Sequence, residues 1–130
     1  FPEVVADLGE VLVHGVALKP GYPVGFGVVE ETPVLMLPGY PVSCLVTATV
    51  LARPATKWAG RLSVDPFPET RARLTGKIAS ETATATPVRA GGAGVMSSVA
   101  AADGWVVVPE SREGIPAGET VAVQDWEYQP

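Results

Sequence analysis

The chain has 130 residues, a net charge of −5 and a single cysteine, and 47% of its residues are hydrophobic. This length suits one ordinary domain or two small ones, and the apolar fraction is sufficient for a packed core. The acidic balance, without a cluster of Lys or Arg, disfavours nucleic-acid binding, because no group of cations could neutralise several phosphates at once. No apolar run approaches the roughly 20 residues that span a bilayer.

The N-terminal residues and the cysteine usage predict a cytoplasmic protein. The start, Phe1-Pro2-Glu3-Val4, lacks the basic region that opens a signal peptide. With Cys44 as the only cysteine, an internal disulfide is excluded and a reducing compartment is favoured. Cys44 lies in an apolar segment, where a buried structural thiol is favoured over a nucleophile.

The first half of the chain alternates short apolar runs with turns that are rich in Gly and Pro. This pattern predicts strands at Leu12–Leu18, Val24–Val29 and Val34–Leu37. A turn over Lys19–Pro23 and a tight polar turn over Glu30–Thr32 separate these strands.

A strand-to-helix corner, Leu37–Ser43, follows the third strand. The helix after it is predicted to be buried from Val42 to Ala52 and to end or kink at Arg53-Pro54, because proline has no N–H to donate. The first backbone N–H groups of such a helix point outward and attract anions, phosphate above all. Gly39 lets a ligand approach the backbone closely, and Pro41 suits the first helical turn. The alternative is a corner that prolines merely stiffen.

Three polar side chains in this half are candidates for a site. Lys19 follows a strand on a rigid turn, where its ammonium would hold a phosphate or an oxyanion such as molybdate; the alternative is a solvated turn lysine. Ser43 would bind a phosphate or cap the helix. His14 is the only histidine and has no carboxylate near it in sequence, so neither a Ser-His-Asp triad nor a histidine metal site is indicated. A packing or hydrogen-bonding role is predicted for His14.

The pattern changes near residues 58–70, which predicts two domains, 1–58 and 59–130, with a stiff linker at Asp65–Pro68. The second part shows only short strand patterns with Gly and Pro between them, typical of a barrel or sandwich. The predicted strands are Arg71–Ile78, Ala85–Ala90, Gly104–Pro109 and Thr120–Val123, with a turn at Gly114–Glu119.

Four segments of the chain together resemble the molybdopterin molybdotransferase family, which includes the MoeA proteins and the gephyrin E domain. They are residues 8–23, 37–43, 94–109 and 115–121. The family pattern has a Lys-Pro-Gly-Lys-Pro turn, then a Leu-Pro-Gly-Asn-Pro-Val-Ser corner, and a C-terminal Ser-Ser, Ala-(Asp/Asn)-Gly and Gly-Glu signature. The motifs occur here in the same order, and the resemblance spans nearly the whole chain.

The resemblance implies an α/β remnant of the three-layer molybdopterin-binding type, followed by a small all-β, barrel-like domain. It implies insertion of molybdate into adenylylated molybdopterin, with release of AMP and with magnesium, by a homodimer. The family's active site lies between the α/β domain of one subunit and the β domain of the other. Its magnesium ligands and its Gly-Gly-(Ser/Thr)-Ser loop belong mainly to a portion outside this sequence, so the chain alone is expected to be inactive.

The resemblance also assigns the site residues. Lys19 takes the catalytic position, and the substrate-binding positions are Pro38, Gly39, Tyr40, Pro41, Ser43, Arg89, Ser97 and Ser98. Two positions depart from the family pattern: Tyr22 replaces the second lysine of the turn, and Tyr40 replaces the asparagine of the corner. Each replacement removes polar contacts and adds aromatic surface that could stack on a pterin or pack on a neighbour.

Gephyrin supplies the alternative function, because the same fold there serves as a dimerisation and receptor-anchoring platform. On that hypothesis the chain is a scaffold module without catalysis. Whether the Gly-Gly-Ser loop precedes residue 1 in the native gene product would discriminate the two hypotheses.

Overall fold

The computed structural model describes residues 1–79 and 102–126. The chain divides into two compact units, Phe1–Val64 (unit 1) and Asp65–Pro130 (unit 2). The domain boundary after residue 58 stays a prediction, and the strand expected at Ala85–Ala90 lies outside the described residues. No helix in the described ranges is long and apolar enough to cross a membrane.

Unit 1 combines one three-stranded sheet with helices. Its elements are α1 (Pro2–Leu8), β1 (Glu10–His14), β2 (Gly25–Val29), β3 (Thr32–Met36), α2 (Pro41–Thr47), a π-helical segment (Ala48–Ala52) and α3 (Arg53–Ala59). Strand β2 lies in the middle and pairs antiparallel with both neighbours. Strand β1 ends well before Leu18, because Gly15 has a φ of 93° and turns the chain out of the sheet.

The hairpin between β2 and β3 is closed by the two residues Glu30 and Glu31, which confirms the tight polar turn. Their φ angles are 47° and 63°, and Val29 pairs with Thr32 on either side. Two consecutive left-handed residues are the geometry of a type I′ turn, whose twist matches that of the strands.

Two glycines in β2 allow close packing on the sheet. A Cβ at Gly27 would lie 2.6 Å from the carbonyl oxygen of Glu10 and 2.7 Å from Cγ1 of Val5, so α1 rests directly on the strand backbone. A Cβ at Gly25 would lie 2.8 Å from Cε of Met36. Val5 and Met36 are both 3% exposed, and they form part of the core of unit 1.

The helix that follows β3 continues past Pro54, so of the two predicted outcomes at Arg53-Pro54 the end is wrong, and the kink stays a prediction. Five residues of π-helix, Ala48–Ala52, precede the proline and change the hydrogen-bond register of the helix. Helix α3 then extends to Ala59. The Thr56 hydroxyl donates to the carbonyl of Ala52 at 2.9 Å, close to the point where proline lacks an N–H.

The same helix is much less buried than predicted. Between Val42 and Ala52 only Ser43 and Thr47 are buried, while Val50 is exposed and the other side chains are half-buried. The apolar composition predicted burial on all sides, but within unit 1 only one stripe of the helix meets packed residues.

Unit 2 consists of short strands in its described residues, namely β4 (Glu69–Arg73), β5 (Ile78–Ala79), β6 (Gly104–Trp105), β7 (Gly114–Ile115) and β8 (Thr120–Asp125). They form one sheet in the order β4-β8-β6 and a second sheet of β5 and β7, and these two sheets do not close a barrel within the described ranges. Strand β6 covers only the first two residues of the strand predicted over Gly104–Pro109. The core contains Leu74, Ile78, Ile115 and Val121.

An ion pair on the surface of unit 2 joins Arg112 to Glu119. Both guanidinium Nη atoms donate to the carboxylate, at 2.7 and 2.8 Å. These hydrogen bonds hold the pKa of the Glu119 carboxyl below its ordinary value, and the positive charge of Arg112 adds to the effect.

Replacement of Glu119 by Gln should flatten part of the acid dependence of stability. Because its pKa is lowered by folding, Glu119 contributes stability that is present above the ordinary carboxyl pKa, about 4.3, and is lost as the pH falls through the lowered value. Urea denaturation from pH 6 to pH 2.5 measures this difference. The matched control is Glu110→Gln, an exposed glutamate nearby; equal pH profiles for wild type and Glu119→Gln would contradict the prediction.

A candidate anion-binding corner

The candidate site consists of two segments of unit 1. The first is the lysine turn, Lys19–Pro23, within a loop that leaves β1 and returns to β2. Two backbone hydrogen bonds close this loop, from the N–H of Gly15 to the carbonyl of Val24 at 2.9 Å and from the N–H of Val16 to the carbonyl of Tyr22 at 3.0 Å. The structure thus confirms the predicted turn, and it leaves Lys19 exposed.

The lysine turn packs against helix α2 through Gly21. This glycine has a φ of 129°, and a Cβ there would lie 2.7 Å from Cγ2 of Thr47. Thr47 is fully buried, and its hydroxyl donates to the carbonyl of Ser43 at 2.8 Å. Thr47 was not among the residues predicted from the sequence, although a hydroxyl about one helical turn after the corner, inside an apolar helix, is a signal that could have indicated a packed polar contact.

The second segment is the corner, Leu37–Ser43, where β3 passes into α2. Tyr40 is the N-cap residue, with an extended backbone (φ −76°, ψ 128°), and Pro41 begins the helix. The first helical hydrogen bond runs from the N–H of Cys44 to the carbonyl of Tyr40, at 2.8 Å. The N–H groups of Val42 and Ser43 precede that bond, and no side chain caps this end of the helix.

Ser43 does not cap the helix, so that alternative is wrong. It lies inside the first helical turn and is only 4% exposed, whereas the N-cap position belongs to Tyr40. Tyrosine has no short polar side chain for the helix N–H groups. Compared with Ser, Thr, Asn or Asp, it therefore gives up about 1 kcal/mol of capping stabilisation.

The sheet brings the two segments to one edge. Strands β1 and β3 are both antiparallel to β2, so they run in the same direction as each other. Their last residues, His14 and Met36, both pair with Gly25, and the lysine turn and the corner follow these strand ends. The juxtaposition arises because the two outer strands lie on either side of a strand that is antiparallel to both.

The carboxylates of the sheet gather at the opposite edge. Glu10 opens β1, and Glu30 and Glu31 form the β2–β3 turn. Strand β1 places Glu10 roughly 13 Å from His14, at about 3.3 Å per residue. That separation exceeds the screening length of about 8 Å at physiological ionic strength. An anion at the Lys19 edge therefore meets little repulsion from these groups.

Gly39 differs from Gly15 and Gly21 because no neighbour among the described residues explains its small size. A Cβ at Gly39 would meet no atom within 4 Å, and the residue is exposed. Pro38 beside it is buried, which fixes the corner. The backbone at Gly39 is thus held in place but open to an approaching ligand.

The other candidate residues either lie outside the described residues or belong to neither of the two segments. Arg89, Ser97 and Ser98 lie outside the described residues. His14 is exposed at the end of β1, with its ring near Gly25, and Cys44 is half-buried. The described ranges contain no group of three or more His, Cys, Asp or Glu side chains that could hold a metal ion.

Unit 2 offers a weaker site in its described residues. An open groove of about 290 Å³ is lined by residues that include Val107, Arg112, Glu119 and Ala122. The guanidinium of Arg112 is already paired with Glu119, so the groove provides little charge for an anion.

Two family models match the chain. One is described as the MoeA C-terminal region (domain IV) and matches residues 68–126. The other is described as a probable molybdopterin binding domain and matches residues 1–58.

Relatives and solved structures agree with these models. A putative molybdopterin biosynthesis protein of Methanocaldococcus jannaschii is 35% identical over 125 residues, which cover 93% of this chain and 31% of that protein. A molybdopterin molybdenumtransferase of Synechocystis is 29% identical over 137 residues, or 97% of this chain and 34% of that protein. The crystal structure of a molybdopterin biosynthesis MoeA protein from Pyrococcus horikoshii matches with a TM-score of 0.78 and 37% identity, over 98% of this chain and 34% of that one.

The fold and the matches define a protein of molybdenum cofactor biosynthesis. The chain belongs to the MoeA family, as a portion that includes the family's C-terminal region. It spans about a third of the length of the curated relatives described above.

Two glycine variants should separate structural from ligand-related roles at this site. Gly21→Ala should destabilise the chain by roughly 2 kcal/mol or more, because it places a Cβ at positive φ against Thr47. Gly39→Ala should change the free energy of unfolding by no more than about 0.5 kcal/mol, because its Cβ meets open space. Urea denaturation followed by far-UV circular dichroism measures both values. A large loss in Gly39→Ala would show that the corner is tightly packed after all.

Proposed function

We propose that the lysine turn and the corner bind the oxyanions of molybdenum insertion, namely molybdate and the phosphates of adenylylated molybdopterin. One observation carries the proposal: Lys19 and an uncapped helix start lie at the same edge of a sheet whose carboxylates are at the other edge. Membership of the MoeA family supports the choice of these anions.

The chemistry of the two segments suits anions of this kind. The ammonium of Lys19 supplies a full positive charge, and the N–H groups of Val42 and Ser43 supply donors on the positive end of the helix dipole. Because Gly39 has no side chain, an oxyanion can reach these donors. Charge held at this position would stabilise the negative oxygens while molybdate enters and AMP leaves.

The strength of binding follows from the number of contacts. Two or three charge-assisted hydrogen bonds contribute about 1.5–3 kcal/mol each, and association costs at least about 4 kcal/mol. Millimolar affinity for molybdate is therefore expected of this site alone.

In this proposal the complete reaction requires a longer protein than this chain. We propose that a protein of the relatives' length inserts molybdate into adenylylated molybdopterin with release of AMP, and that this chain by itself is inactive. Magnesium does not fit the described residues, which contain no cluster of metal ligands, so the proposed binding uses only Lys19 and backbone donors. The three-layer form of unit 1, the barrel-like form of unit 2 and a cytoplasmic location are proposed on the same family likeness.

Replacement of Lys19 by Ala should weaken molybdate binding by about tenfold or more, because it removes one charge-assisted hydrogen bond. Isothermal titration of the chain with molybdate measures the change. Lys77→Ala, an exposed lysine of unit 2, is the matched control and should bind as the wild type does. Unchanged affinity in Lys19→Ala, or an equal loss in Lys77→Ala, would refute the assignment of Lys19; turnover by the chain alone would refute the proposed division of the reaction.

A homodimer is also part of the proposal. Several large apolar side chains are exposed on unit 1, among them Trp58 at 79% and Leu62 at 63%, and exposed apolar groups of this size are typical of interaction surfaces. Sedimentation equilibrium at about 10 μM should give twice the chain mass of 13.5 kDa. A single monomeric species at that concentration would contradict it.

A further inference from the structure

The side chain of Thr47 contacts both segments of the candidate site. Thr47 is the last residue of α2, and none of its surface is exposed. Its hydroxyl donates to the carbonyl of Ser43 at 2.8 Å and also approaches the carbonyl of Cys44 at 3.1 Å. Since Ser43 is the last residue of the corner, the polar part of this side chain is bound to the corner.

These hydrogen bonds fix the direction of the Thr47 methyl group. A threonine in a helix has two common rotamers, and a hydroxyl bonded to carbonyls three and four residues earlier selects one of them. The methyl group is therefore held in one place relative to α2, as a rigid projection from the helix.

The methyl group lies against the lysine turn. A Cβ at Gly21 would lie 2.7 Å from Cγ2 of Thr47 and 2.9 Å from Cδ2 of Leu18, so these two side chains occupy the place of a Gly21 side chain. Gly21 itself is buried, whereas Lys19, which follows Leu18 directly, is exposed. The backbone that carries Lys19 is thus fixed by packing while its ammonium group stays in water.

We propose that Thr47 is a positioning residue that fixes the lysine turn, and with it Lys19, relative to the corner. The inference rests on the proposed function and goes beyond it, because Thr47 is buried and acts through Lys19 without touching an anion. Binding groups are effective only when they are held within about 0.5 Å of the productive geometry. Thr47 meets this requirement with one rigid side chain, whose hydroxyl is bound to the corner and whose methyl group packs on the turn.

A purely structural role for Thr47 predicts a different behaviour. Loss of a buried methyl group lowers the free energy of unfolding wherever the group lies. If this were the whole effect, a variant that is still folded would bind anions as the wild type does. A positioning role predicts instead that the folded variant has a lower affinity.

Thr47→Ser is the decisive variant, titrated with molybdate while NMR follows the amide shifts of the lysine turn and the corner. Serine keeps the hydroxyl and removes the methyl group, so the affinity for molybdate should fall by about three- to tenfold. Thr47→Val keeps the shape of the side chain, and valine has one preferred helical rotamer, so this variant should bind within about twofold of the wild type. Thr56→Ser is the matched control, because the exposed hydroxyl of Thr56 makes the same pair of hydrogen bonds, at 2.9 Å to Ala52 and 3.0 Å to Arg53.

A double variant tests whether Thr47 acts through Lys19. In the Lys19→Ala background, Thr47→Ser should change the molybdate affinity by less than about 1.5-fold, because the turn no longer carries the charge. The inference is overturned if Thr47→Ser binds molybdate as the wild type does, or if Thr47→Val or Thr56→Ser loses as much affinity. It is also overturned if Thr47→Ser weakens binding equally with and without Lys19.

Amide hydrogen exchange tests the positioning without any ligand. The N–H groups of Gly15 and Val16 close the loop that contains the lysine turn. Relative to the amides of the β2–β3 hairpin, they should exchange at least about threefold faster in Thr47→Ser than in Thr56→Ser. Equal relative rates in these two variants overturn the inference, whatever the titration shows. The proposed function fails separately, if the wild type does not bind molybdate or if Lys19→Ala binds it as tightly.

Discussion

The antiparallel pairing of β2 with both of its neighbours is the constraint on which the candidate site depends. Because β1 and β3 lie on opposite sides of β2, they share one direction, and their carboxyl ends meet at one edge. The glycines of β2 make this arrangement compact, since α1 rests on the backbone at Gly27 and Met36 fills the space beside Gly25. A side chain at either glycine would separate the layers that hold the two segments in register.

The same pairing also separates the charges of unit 1. A hairpin of two residues must lie at the end of the sheet opposite the lysine turn, and here its residues are Glu30 and Glu31. Glu10 is at that end as well, because β1 begins there. The carboxylates of Glu10, Glu30 and Glu31 are thus kept away from the lysine turn by the topology of the sheet. This separation is important because the net charge of −5 repels anions. An anion site in such a protein therefore needs a local region without carboxylates.

The sequence predicted the local features of unit 1 better than their packing. Turn chemistry is local, so the turns at Lys19–Pro23 and Glu30–Thr32 could be predicted from Gly, Pro and polar residues. The length of the helix could not be predicted in this way. The π-helical segment before Pro54 allows the helix to continue, and rules for single residues do not predict such a segment. Burial of that helix was overestimated, since composition gives hydrophobicity but not the area of the available partner. The candidate residues Lys19 and Gly39 came from local patterns, a turn after a strand and a strand-to-helix corner, together with the family resemblance. The contact of Gly21 with Thr47 depends on the three-dimensional packing and could not be predicted in this way.

The corner shows where local stability and ligand binding make different demands. Pro38 is buried and Gly21 is packed against a fully buried Thr47, so the supporting residues satisfy the ordinary rules of packing. The exposed residues of the corner do not satisfy these rules, because Tyr40 makes no capping hydrogen bond to its helix and Leu37 is 40% exposed. Departures from local consistency are expected at functional sites, where a neighbouring molecule supplies the missing contacts. At the corner these departures lie beside a well-packed support, which is the combination that the binding site proposed above requires.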